Sequence, residues 1–180
     1  MHDGLASLKP HLPRAPLSLP QALSFAHLVT WGAWVGSIFY TTFVAGVAMF
    51  KSLSRQTFRD VQEVLFPAFF ATCTAWNALL LALAPLVLRS SSPGAAQLLA
   101  VSLAATLANL LYLEPATTRV MLERAALERM SNPIASGVYP QGKDAAMKAL
   151  GKRFGALHGA SSAANLVALV VAVVYGWRFM

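Results

Sequence analysis

Four stretches of this 180-residue chain contain no Asp, Glu, Lys or Arg: residues 15–50, 64–88, 90–113 and 154–177, of 36, 25, 24 and 24 residues. A helix crossing the hydrocarbon core of a bilayer needs about 20 mainly apolar residues, and every stretch exceeds that. The reading is an all-α integral membrane protein, a four-helix bundle. A membrane β-barrel is excluded, because its strands alternate apolar and polar residues in segments of about 10. Spans that consume this much of the chain leave no room for a separate catalytic head.

Charged residues make up only 12% of the chain and the net charge is +7. The basic residues flank the apolar runs, which suits contact with anionic lipid headgroups and not nucleic acid, whose binding needs a basic face on a soluble domain. The expected partners are membrane lipids and other membrane-protein subunits, with no nucleic acid. One cysteine, Cys73, lies inside the second run, so no disulfide within the chain and no CxxC site arises. The first apolar stretch is too long for a signal-peptide core and no small-residue cleavage site follows it, so it reads as a retained span.

The chain divides into a Pro-rich tail, 1–17, and a transmembrane domain, 18–180. Pro10, Pro13 and Pro16 fall on one edge of a polyproline II segment. Ser18-Leu19-Pro20-Gln21 has the form of a capping box and starts the first helix. Spans are expected at about 20–50, 66–88, 93–113 and 154–177. Between them, residues 55–65 place Phe58, Val61, Val64 and Leu65 opposite Arg55, Arg59, Gln62 and Glu63, the spacing of an amphipathic interfacial helix that bends into span two near Pro67. Ser92 reads as the cap of span three, with Pro93 first in the helix. Glu114-Pro115 is expected to end or bend that span, since Pro115 has no N–H to donate. A second interfacial helix, 116–130, follows, with Arg119–Glu123 and Arg124–Glu128 as i,i+4 pairs. Residues 133–142 read as a loop and 143–153 as a basic helix entering span four.

Lys and Arg number 4 on the side of the termini and 10 on the side of the two long loops. The positive-inside rule therefore puts the loops in the cytosol, matrix or stroma and both termini across the membrane, with an organelle inner membrane as the first assignment and an endomembrane or plasma membrane otherwise.

Small residues recur every fourth position: Gly32 and Gly36 in span one, Gly151, Gly155 and Gly159 entering span four, then Ala156 to Ala172. Ala100, Ala104 and Ala108 do the same in span three. Such stripes let helices approach closely, here by packing within the bundle. Asn77, Asn109 and Asn165 lie at similar depths and read as interhelical hydrogen-bonding groups, with a polar substrate site as the alternative. His27 and His158 are the ionisable groups inside spans, near opposite surfaces, which argues against one haem held between them. A single-ligand haem or pigment on His27 remains open; otherwise no cofactor and no metal site is implied. Glu114, at the loop-side end of span three, is placed to pair with Lys152 or Arg153. No catalytic motif appears.

Three blocks resemble the transmembrane-protein-205-like family of four-span eukaryotic membrane proteins. The first runs through Gly32-Ala33-Trp34, Thr42-Phe43-Val44, Gly46 and Phe50-Lys51-Ser52-Leu53-Ser54-Arg55. It continues through Thr57-Phe58, Val61-Gln62 and Leu65-Phe66-Pro67. The second is Leu113-Glu114-Pro115 with Thr117-Thr118; the third is Phe154, His158-Gly159, Ser161-Ser162 and Asn165-Leu166. The match covers about residues 27–170. The family pattern often has a tyrosine where this chain has Phe69, and the loop between spans three and four is shorter here than in animal members. The resemblance implies a four-span fold and a membrane location. It implies no settled activity, since proposals for animal members concern export or tolerance of metal-containing drugs.

These blocks cluster on the loop side, where the topology brings Lys51, Arg55, Glu114 and His158 to one surface. That surface is the expected working face, as a lipid-headgroup or anion pocket or a docking surface. The function expected is that of a non-catalytic accessory or scaffold subunit of a membrane complex. A small transporter or exporter component is the alternative, and a haem or pigment protein the second alternative.

Overall fold

The computed structural model describes residues 17–88, 93–130 and 143–180. The polyproline tail, the Ser92 cap and the 133–142 loop lie outside the described residues. Four long helices make up the rest: α1 (Leu19–Ser52), α2 (Arg55–Val87), α3 (Gly94–Met130) and α4 (Lys143–Phe179). Their apolar composition and lengths of 33 to 37 residues fit them to cross a membrane. At ~1.5 Å per residue they reach about 50–55 Å, well beyond a hydrocarbon core of ~30 Å. The excess falls on the loop side, where the charged ends of α2, α3 and α4 extend past the apolar runs.

Local chemistry sets the helix starts. Ser18 precedes α1, and its backbone N–H and hydroxyl both donate to Gln21 Oε1 at 3.0 Å. Leu53 and Ser54, both extended, form the whole connection between α1 and α2. Ser54 caps α2 by accepting from Thr57 N at 3.2 Å.

The two segments expected as separate interfacial helices are continuous with the spans. α2 runs unbroken through Pro67, so residues 55–65 belong to the same helix as span two. Phe58 packs edge-on against Phe50 of α1 at 5.8 Å between centroids, and Arg59 pairs with Glu128 of α3 at 3.4 Å. These contacts tie the segment to α1 and α3. Glu128 is therefore engaged across helices and not with Arg124, whose guanidinium lies over the Phe154 ring of α4, 5.5 Å from its centroid.

α3 likewise passes Glu114-Pro115 without ending. Residues Asn109–Leu113 form a π turn, and Glu114 N donates to Asn109 O, five residues back. A proline ring crowds the carbonyl four residues before it, here Leu111, and widening the preceding turn relieves that crowding while keeping the backbone bonded. A second π turn, Tyr40–Ala45, lies in α1, where Gly46 N donates to Thr41 O. A Cβ on Gly46 would sit 3.0 Å from that same oxygen, which accounts for a glycine at this position.

The helices pack in a ring, α1 on α2, α2 on α3, α3 on α4 and α4 back on α1. Trp34, Ile38, Cys73, Leu80, Leu99, Ala168, Ala172 and Tyr175 fill the interior, with Phe69 and Phe70 at its loop-side end. Outward faces carry Phe25, Leu28, Val29, Val101, Leu111, Val170 and Val173, an apolar belt suited to lipid.

The glycine stripes do not serve the packing assigned to them. A Cβ on Gly32, Gly36, Gly151, Gly155 or Gly159 would meet nothing within 4 Å, and Gly32, Gly36, Gly155 and Gly159 face outward. Among the alanines, Ala168 and Ala172 are buried, whereas Ala100, Ala104, Ala108, Ala156 and Ala160 are exposed. The glycine that does permit close approach is Gly176, where a Cβ would overlap the Trp31 ring. Trp31 lies against that bare backbone and donates its indole N–H to Ala172 O at 2.9 Å. Gly176→Ala should therefore destabilise the bundle by about 1–3 kcal/mol through overpacking. Gly32→Ala and Gly155→Ala, with open space at an exposed helix position, should instead be neutral or stabilise by up to about 1 kcal/mol. Thermal unfolding of the monomer in mild detergent compares them.

Candidate functional site

Asparagines tie the ring together. Asn165 of α4 donates Nδ2 to Thr42 Oγ1 of α1 at 2.9 Å, and Asn109 of α3 donates Nδ2 to Ser161 O of α4 at 3.2 Å. Asn77 of α2, with its amide turned to satisfy both ends, donates to Leu99 O of α3 at 3.1 Å. It accepts from Ser102 Oγ at 2.7 Å and Leu103 N at 3.1 Å. Each amide serves a different interface, so the three do not converge on one polar site. Interhelical bonds of this kind average about 0.6 kcal/mol and reach about 1.7.

His27 is 2% exposed, and its Nε2 lies 2.8 Å from Tyr175 Oη. The imidazole sits edge-on to the tyrosine ring inside the terminal half of the bundle. That contact engages Nε2, one of the two ring nitrogens that can ligate a metal. No group of three or more His, Cys, Asp or Glu side chains converges as a metal site among the described residues.

The loop-side half is organised differently. From Tyr40 onward the last turns of α1 make no extended backbone packing with the other three helices, and the Thr42–Asn165 bond and the Phe50–Phe58 contact join them to the bundle. Between the departing α1 and the bundle lies a pocket of about 480 Å³. Its apolar wall is Phe43, Phe50, Phe58, Phe66, Phe69 and Phe70; its polar wall is Thr42, Glu114, Thr118, His158, Ser161 and Asn165. The π turn of α1 contributes Thr41, Thr42 and Phe43, and the π turn of α3 ends where Glu114 begins. The π turn of α1 thus supplies side chains to the cavity wall, and Glu114 follows directly on the π turn of α3; such turns recur at functional sites.

Of the four residues expected on the working face, the pocket brings together Glu114 and His158. Arg55 lines an adjoining groove with Arg59, Arg124 and Glu128, and this groove shares Phe58, Gln62, Met121 and Phe154 with the pocket. Lys51 lines neither. Glu114 makes no ion pair with Lys152 or Arg153; its Oε1 accepts from Thr118 Oγ1 at 2.8 Å. His158 stacks on Phe154 with rings 5.6 Å apart and nearly parallel. Sequence reasoning missed the aromatic wall and Thr42 and Thr118. The available signal was a run of hydroxyl residues on the loop-ward turns of three spans, at 41–42, 117–118 and 161–162. Phe69 places a bare ring in the pocket wall at the position where the resembled family often carries a tyrosine.

These features define a four-span helical membrane protein with an amphipathic pocket inside its loop-side half. Residues 29–126 match the family described as a domain of unknown function, DUF4149, and the chain belongs to that family. The matched segment contains the pocket walls from α1 and α2 and those from the loop-side half of α3. No solved structure matches the chain.

The His27–Tyr175 bond should register in a double-mutant cycle. His27→Phe and Tyr175→Phe, singly and together, should show a coupling of about 0.5–1.5 kcal/mol in unfolding free energy. Additive effects would mean the two rings merely pack.

Proposed function

We propose that this is a non-catalytic membrane protein that holds an amphiphilic molecule in the loop-side pocket and works as an accessory subunit of a larger membrane assembly. The observation that carries the reading is the pocket itself: an aromatic wall facing a hydroxyl- and carboxylate-bearing wall, beside the one stretch of α1 that leaves the bundle. Further support comes from the family resemblance. Thr42, Phe43, Gly46, Phe50, Phe58, Gln62 and Phe66 all belong to the blocks that resemble the transmembrane-protein-205-like family and all line the pocket. So do Glu114, Thr117, Thr118, Phe154, His158, Ser161, Ser162, Asn165 and Leu166. Membership of that narrower family is part of the proposal.

The accessory role draws on the outward glycines of α1 and α4, which offer bare backbone to a neighbouring helix. The non-catalytic role draws on the sequence, in which no catalytic motif appears. The rival reading, a transporter or exporter component, would need a path past Trp34, Cys73, Leu80 and Tyr175, which are packed below the pocket. A haem or pigment bound through Nε2 of His27 would have to displace Tyr175. By the positive-inside count the pocket faces the cytosol, matrix or stroma, with an organelle inner membrane as the first assignment.

Native separation in mild detergent, followed by mass spectrometry of proteins and bound small molecules, tests this. The protein should migrate within a larger assembly and carry a co-purifying amphiphile that the pocket-filling variant Ser162→Trp has lost. A homo-oligomer that supports substrate flux in vesicles would replace the proposal with the transport reading.

A further inference from the structure

Resting on the amphiphile reading, the head group can be specified further. Glu114 is 7% exposed, lines the pocket and directly follows the apolar run of α3. One oxygen accepts from Thr118 Oγ1, and no cationic side chain among the described residues pairs with the carboxylate. An ionisable group within or at the edge of a membrane-spanning segment is by default a functional group, and this one has no cationic partner among the described side chains. Two cations of the adjoining groove face other groups. Arg124 is over Phe154 and Arg59 is on Glu128. Asn165 adds a second acceptor, since its Nδ2 is given to Thr42 while its Oδ1 has no donor. Around these acceptors stand aromatic rings, whose faces also attract cations.

We infer that the pocket takes an amphiphile with a protonated nitrogen as its head, held by the Glu114 carboxylate, with its apolar body along Phe66, Phe69, Phe70 and Leu169. An aminolipid of the surrounding bilayer and a free lipophilic amine share this chemistry. Either would enter beside the departing turns of α1.

Calorimetric titration of the full chain in phosphatidylcholine nanodiscs, corrected for empty discs, tests the inference with dodecylamine, dodecanol and dodecyl sulfate, which differ only in the head. Dodecylamine should bind about tenfold or more tightly than dodecanol, a difference of about 1.4 kcal/mol. Glu114→Gln keeps an acceptor for Thr118 and should erase that preference while leaving dodecanol binding unchanged. Ser162→Lys, at an exposed pocket position where folding is not at stake, should weaken the amine and strengthen the sulfate. If all three probes bind the native protein alike, or the sulfate binds best, the cationic-head inference is overturned and the amphiphile pocket stands. If none binds above empty discs, the pocket reading falls with it. Doping the discs with phosphatidylethanolamine then separates the sources. Competition with dodecylamine marks a lipid and its absence a free amine, and both outcomes retain the amine head.

Discussion

A backbone inside hydrocarbon has no water to bond, so every amide in this chain must find its partner within its own helix or on a neighbour. That requirement explains why α2 and α3 continue through Pro67 and Pro115. Pro115 removes one donor, and α3 answers by opening a five-residue turn instead of stopping. The same requirement shapes the contacts between helices. Apolar surface gains nothing by leaving lipid for protein, so specific polar links carry the assembly. Asn77, Asn109 and Asn165 join α2 to α3, α3 to α4 and α4 to α1, while Trp31 and His27 fasten α1 to α4 near the termini.

The pocket is a product of where those links stop. On the terminal side α1 is held by its indole and imidazole contacts. The last link on the loop side is Thr42 to Asn165, inside the π turn, and past it the helix departs. The cavity is therefore bounded by the ends of the polar fastenings, and its rim by the Phe50–Phe58 contact at the hairpin. Its aromatic wall comes mainly from α2 and its polar wall from α3 and α4, a division that suits a ligand with two unlike ends.

Fold class was legible because uncharged runs of 24 residues or more have one physical meaning, and Ser18 with Gln21 marked the first helix start. Helix ends were harder to read, because a change from apolar to charged residues marks where hydrocarbon stops and not where hydrogen bonding stops. Residues 55–65 and 116–130 thus looked like separate elements. Spacing of glycines gave the close-approach pattern but not its direction: Gly32 and Gly155 point away from the bundle, while the isolated Gly176 carries the tight contact. Glu114 and His158 were legible as neighbours from topology alone. Lys51 was not, since one residue's displacement around a helix turns a side chain by about 100°.

That same angle gives the π turn of α1 a further meaning. A π turn is an α-helix with one residue more than the ladder needs, so the segment past Gly46 is rotated by about 100° from the course set by Trp31 and Trp34. The extra residue acts as a phase shifter, letting one helix present two unrelated faces to its neighbours. Above it, α1 turns Trp34 and Ile38 into the core; below it, α1 turns Val47 and Phe50 toward the cavity. A chain one residue shorter between Tyr40 and Ala45 would keep its length, hydropathy and four spans almost unchanged. It would also swing Phe50 off Phe58 and present the cavity with a different wall.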